Sequence, residues 1–209
     1  MSWLARLLRS KALVLTLIIL PGLWPAWPIL QGNPTVLADP TKYLLHHFGF
    51  VACILLATVL CFTPLRVLWP RWDLALALNR HRRLVGVSAF FYAAIHLGFQ
   101  FLHEGGWPTF WTDLRKPFLL TGLVTFTILL ILAVTSLKAA VRWLGGRRWK
   151  RLHRLAYLAA GLAAYHQAAA RKIFPVQVLW IFLPVLALEL ARIARERWPA
   201  PKAAPPARA

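Results

Sequence analysis

Residues 117–137 read PFLLTGLVTFTILLILAVTSL, an unbroken run without a charged side chain. A helix crossing the hydrocarbon core of a bilayer needs roughly 17–25 mostly apolar residues, so this run is long enough to span one. Arg115 and Lys116 precede it and Lys138 follows it, where long cationic side chains can snorkel to the interface. Further runs free of Asp, Glu, Lys and Arg occupy residues 12–38, 43–65, 84–103, 155–170 and 173–188. The pattern predicts an all-α, six-helix transmembrane bundle. Pro21, Pro25, Pro28 and Pro34 crowd the second half of the first run. Only Arg171, Lys172 and Pro175 mark the turn between the last two, so a single re-entrant hairpin there stays open as an alternative.

Composition agrees with this reading. The chain has 209 residues, of which 59% are hydrophobic and 15% charged. Soluble domains carry about 25% charged residues. The length allows one domain over residues 1–198, followed by a Pro- and Ala-rich stretch, 199–209, read as a disordered cytoplasmic tail. The formal charge is +19, from 25 Lys and Arg against 6 Asp and Glu. With six spans, Lys42, Arg115, Lys116, Arg171 and Lys172 fall on one side, and the other 20 basic residues fall on the side of both termini. By the positive-inside rule both termini are cytoplasmic. The excess charge is then explained by contact with anionic membrane lipid, and no nucleic-acid role is needed. Trp24, Trp27, Trp69, Trp72, Trp107, Trp111, Trp143 and Trp149 lie at predicted span ends, as an aromatic belt requires. Cys53 and Cys61 both lie inside one apolar run and read as inert thiols. The start of the chain is basic and then apolar but lacks a small-x-small cleavage site, so it reads as a retained first span.

Of the seven histidines, only His96 and His166 lie well inside spans, each about five residues from the outer end. Two neutral imidazoles at equal depth on neighbouring helices can clamp a haem iron from both faces. They can equally be core histidines hydrogen-bonded to backbone, Ser or Thr. No Cys or carboxylate joins them at matching depth, which argues against zinc. His153 precedes His166 by thirteen residues, about 20 Å along a helix, and so belongs to the cytoplasmic end. His81 and Arg82, fifteen and fourteen residues before His96, lie at that end too. A second, inner site would need His153 and a partner, with His81 the available imidazole. Ideal helical phase permits such a site without demanding it. His46, His47 and His103 lie on the outer face, either as interfacial residues or in contact with a cofactor or docking partner.

Several chemistries are missing. There is no CxxCH for covalent haem, no GxGxxG, no P-loop, no HExxH and no GxSxG. No segment could form a soluble nucleotide-binding domain. If the chain moves electrons, donor and acceptor come from elsewhere. The other classes that fit are a metal-ion reductase and a haem-free transporter or scaffold. The absence of paired broken helices weakens the transporter.

The motifs resemble one known family. His81-Arg82-Arg83-Leu84-Val85-Gly86 with Ile95-His96-Leu97 looks like the third span of the MsrQ (YedZ) family. Lys116-Pro117-Phe118 through Thr135-Ser136 resembles its fourth, and the stretch from Trp149 through His153 to Tyr157 is similar to its most distinctive segment. Gly32-Asn33-Pro34 and Thr63-Pro64-Leu65-Arg66 also match, so the resemblance covers roughly residues 10–195. The resemblance implies a haem-binding inner-membrane subunit of a bacterial methionine sulfoxide reductase system, related to ferric reductase transmembrane domains. It implies one or two b-type haems and FMN. Electrons would come from the quinone pool or a cytosolic flavin reductase. They would go to MsrP, a periplasmic molybdopterin subunit that reduces methionine sulfoxide in oxidised proteins. His96, His153 and His166 match the family's haem ligands. The oxidase-like pattern has a further histidine where this chain has Arg82. His81 can substitute for it, or Arg82 can pair with a haem propionate.

Overall fold

The computed structural model describes residues 3–103 and 105–198; the tail expected over 199–209 lies outside them. The described residues form helices and no strand. Four short helices open the chain: α1 (Trp3–Leu7), α2 (Lys11–Leu23), α3 (Ala26–Leu30) and α4 (Pro34–Leu37). Then come α5 (Pro40–Leu68), α6 (Asp73–Arg80), α7 (Arg82–His103), α8 (Trp107–Asp113) and α9 (Pro117–Val134). The last three are α10 (Lys138–Leu152), α11 (Leu155–Ala169) and α12 (Gln177–Arg197). Among the described residues five segments are long and apolar enough to cross a membrane: Lys11–Leu30, Pro40–Leu68, Arg82–His103, Pro117–Val134 and Gln177–Arg197.

Helix starts follow local chemistry. Ser10 Oγ accepts from Leu13 N at 3.3 Å, and Asp39 Oδ1 accepts from Lys42 N at 3.0 Å. Each side chain satisfies an amide that has no partner within its helix. Proline occupies the first turn of α4, α5 and α9, where its missing N–H costs nothing. The run 12–38 is not one straight span. It breaks after Leu23, and the apolar candidate ends at Leu30. The prolines explain the break, because Pro25 cannot donate to the Pro21 carbonyl four residues earlier. His47 of α5 fills that gap, donating Nε2–H to Pro21 O at 2.7 Å.

The core lies where α5, α7, α9, α11 and α12 meet. Leu56 and Leu60 pack there with Ala89, Ile128, Leu129, Leu132, Ala159, Ala160, Ala163 and Val185. The alanines let helix backbones approach closely, as membrane bundles require. A second cluster seats α2 through Val14 and Ile18 against Val51, Phe62, Val85 and Tyr92. Tyr92 also donates its hydroxyl to Ile18 O at 2.7 Å. Large apolar side chains such as Leu120, Ile131, Leu158, Leu183 and Leu186 face outward, as in a protein whose solvent is lipid.

α11 has 15 residues, about 22 Å of helix, and is shorter than the five candidates. It runs antiparallel to α9 along its whole length. At one end His153 bonds Thr135 Oγ1 at 3.2 Å, and at the other His166 bonds Phe118 O at 2.7 Å. Each described end of the chain is tied down separately, toward the first of these levels. His81 Nε2 donates to Leu8 O at 2.9 Å, and Arg195 donates to Leu68 O. α12 begins later than the expected 173–188 and continues to Arg197, which brings Glu189 inside the helix.

Candidate cofactor site

His96 of α7 and His166 of α11 face each other at the end of the bundle away from Leu8 and Arg195. Their ring centroids are 5.9 Å apart, with planes at 82°. His96 Nδ1 lies 2.8 Å from Leu45 O, and His166 Nδ1 lies 2.7 Å from Phe118 O. A carbonyl oxygen only accepts, so each Nδ1 carries the proton. Each Nε2 therefore keeps its lone pair. Backbone-locked Nδ1–H is the usual companion of a metal-ligating imidazole.

Both contacts use the same device. Gly49 stands four residues after Leu45 and Gly122 four after Phe118. A Cβ at Gly49 would sit 2.7 Å from His96 Nδ1, and one at Gly122 would sit 2.7 Å from His166 Nδ1 and Cε1. Only a bare backbone lets each ring settle over the helix and reach its carbonyl. Sequence reading missed these glycines. Their signal is the four-residue offset from the accepting carbonyl, which acquires meaning only once the facing helix is known.

The pair lines a cavity of about 310 Å³. Its deep wall is apolar, with Leu56, Ala93, Phe126, Leu129 and Ala163. Its mouth is polar, with Lys42, His46, His103, Gln167 and Arg171. No group of three or more His, Cys, Asp or Glu side chains among the described residues could hold a bare metal ion. Two imidazoles alone fill two positions on a metal, so a metal held here would need its other ligands from a cofactor. Nitrogen–metal distances near 2.0 Å, plus about 1 Å from nitrogen to ring centre, put the centroids of two opposed ligands about 6 Å apart. The observed 5.9 Å fits a metal macrocycle held from both faces.

The residues expected at an inner site are arranged differently. His153 ends α10 and stacks on Trp149 with centroids 3.9 Å apart. Thr135 donates its hydroxyl proton to Ile131 O at 2.7 Å, so its oxygen accepts from His153 Nε2–H. Trp149 Nε1 donates to Thr135 O at 3.0 Å. Burial and the nearby Arg82 guanidinium push the His153 imidazole down to about 4, so it is neutral. Arg82 thus lies beside His153, whereas the Nε2 of His81 is taken by Leu8. His47 is occupied by Pro21, and His103 faces Asp39 at 4.0 Å. A buried carboxylate, Glu189, joins this end. It accepts from Tyr157 at 2.9 Å and from Arg192 Nε at 2.8 Å. The rule that spans avoid acids hid it, because Glu189 closed the apolar window at residue 188.

The match to known proteins follows the same core. A family model described as a ferric reductase like transmembrane component covers residues 48–164. A Deinococcus radiodurans protein named protein-methionine-sulfoxide reductase heme-binding subunit MsrQ is 37% identical over 177 residues, covering 84% of this chain and 85% of its own. Proteins of the same name from Rhodospirillum rubrum and Brucella ovis are 35% and 36% identical, each over 87% of this chain and over 86% and 82% of their own lengths. Bundle, site and match define a membrane redox subunit of the ferric reductase-like transmembrane class, multi-pass in the bacterial inner membrane. Within that class the chain belongs to the MsrQ family.

Proposed function

We propose that this chain is the haem-carrying electron-transfer subunit of a periplasmic methionine sulfoxide reductase system. His96 and His166 hold one b-type haem through Nε2, near the periplasmic face. The observation that carries this reading is the pair of imidazoles locked through Nδ1 on the Leu45 and Phe118 carbonyls. The relatives' name, which specifies a heme-binding subunit, supports it. The haem would supply one-electron iron redox chemistry, with its potential tuned by axial ligands and burial. The chain's own residues contribute ligation, orientation and exclusion of water. They perform no acid–base step on sulfoxide.

In this reading α11 is a sixth span, because it matches α9 in depth. Both termini are then cytoplasmic, in agreement with the positive-inside distribution. His153, Trp149 and Arg82 mark the cytoplasmic end of the path. There Arg82 is suited to an anionic group, and a second bis-histidine haem would require His81 to leave Leu8. Electrons enter from the quinone pool or a cytosolic flavin reductase and leave to MsrP, which reduces methionine sulfoxide. FMN belongs to the reading as a second cofactor, with no residues named for it.

The ferric reductase-like match favours one competing acceptor, a metal ion. Electron-transfer assays on reduced protein separate the two. Reoxidation that requires MsrP and a sulfoxide supports the reading. Reoxidation by ferric chelates alone, unaffected by MsrP, replaces it with a metal reductase.

A further inference from the structure

The cavity's two-toned lining raises the question of what its mouth is for. Lys42, near the start of α5, and Arg171, just beyond α11, open onto it. Both stand close enough to His46 for their charges to act on it. Among the described residues neither side chain has an acidic partner, although Asp39 accepts from the Lys42 backbone amide. At this end the Asp39 carboxylate lies 4.0 Å from His103, and Asp113 pairs with Lys116. Gln167 follows His166 and lines the same cavity, and its buried Oε1 has no hydrogen-bond partner. A buried amide without a partner is costly, and turning it about its terminal bond presents N–H donors instead.

The deep wall excludes anions, since a carboxylate against Leu56, Ala93 and Leu129 would lose its hydration with nothing in return. An amphipathic ligand with an apolar body and acidic edge would therefore enter body first. We propose that Lys42, Arg171 and Gln167 form a carboxylate subsite that holds the propionates of the haem bound between His96 and His166. This inference rests on the haem reading above. It fixes which edge of the macrocycle faces the water at this end. Arg171 is suited to a bidentate grip and Lys42 to a point charge. Reduction adds one negative charge to the haem, so nearby cations favour the reduced form.

The test is reconstitution of the purified chain with protohaem and with haem dimethyl ester, whose propionates are masked. Wild type should take up the ester about tenfold or more weakly than protohaem. Lys42→Gln/Arg171→Gln should keep the low-spin spectrum, lose that preference and shift to lower midpoint potential. Arg171→Lys should recover part of both. Equal uptake of haem and ester by wild type, or an unchanged preference and potential in the double variant, overturns the proposal. It would leave these cations to lipid phosphate or solvent. Failure of wild type to take up either haem overturns the haem reading with it.

Discussion

At the residue scale, the site depends on two atoms that are not there, the missing Cβ groups of Gly49 and Gly122. An added methyl at either would press on a ring held by a backbone hydrogen bond rather than on the free end of a flexible side chain. Overpacking of this kind costs about 1–3 kcal/mol. Gly49→Ala and Gly122→Ala should each lower the haem-to-protein ratio of purified protein. Gly98→Ala in α7 should not, since nothing lies within 4 Å of that position. Equal haem content in all three would remove the seating role. His96 and His166 were legible in the sequence because a histidine deep in an apolar run stands out. The glycines were not, because a glycine inside a span also serves plain helix packing. His81 and His153 were legible as residues of one end but not as partners. That distinction rests on Leu8 and Thr135, each of which occupies a ring nitrogen.

At the scale of elements, prolines rather than hydropathy shape the first span. Hydropathy sees one run over 12–38, but Pro25 removes the donor that Pro21 O needs, and α5 supplies one through His47. His47→Ala should leave that carbonyl unpaired and cost about 1–3 kcal/mol. Pro25→Ala in the same background should recover part of the loss by restoring an amide. Thermal unfolding in detergent checks both. If His47→Ala melts with wild type, the bond does not contribute. α12 teaches the converse lesson. Its apolar window stopped at Glu189, but Tyr157 and Arg192 satisfy that carboxylate, so the helix runs on to Arg197.

At the scale of the whole molecule, the helical class and most spans follow from composition and charge-free runs. The sixth crossing proposed for α11 does not follow from length. α11 is short, and its depth is evident only from its bonds to both ends of α9. The proposed topology predicts that a reporter active only in the cytoplasm works when fused after residue 198. One placed between α11 and α12 should work only if exported. The reverse pattern would invert the bundle and put the two-histidine site on the wrong side for a periplasmic acceptor. In the proposed function the bundle exists to hold a haem between two helices. Its most direct test is the visible spectrum of detergent-purified protein, oxidised and dithionite-reduced, with haem and protein quantified in wild type, His96→Ala and His166→Ala. Wild type should show a sharp Soret shift and resolved α and β bands, and both variants should lose most of the haem. Full haem in either variant, or a wild-type protein that stays haem-free after haem supplementation, would contradict it.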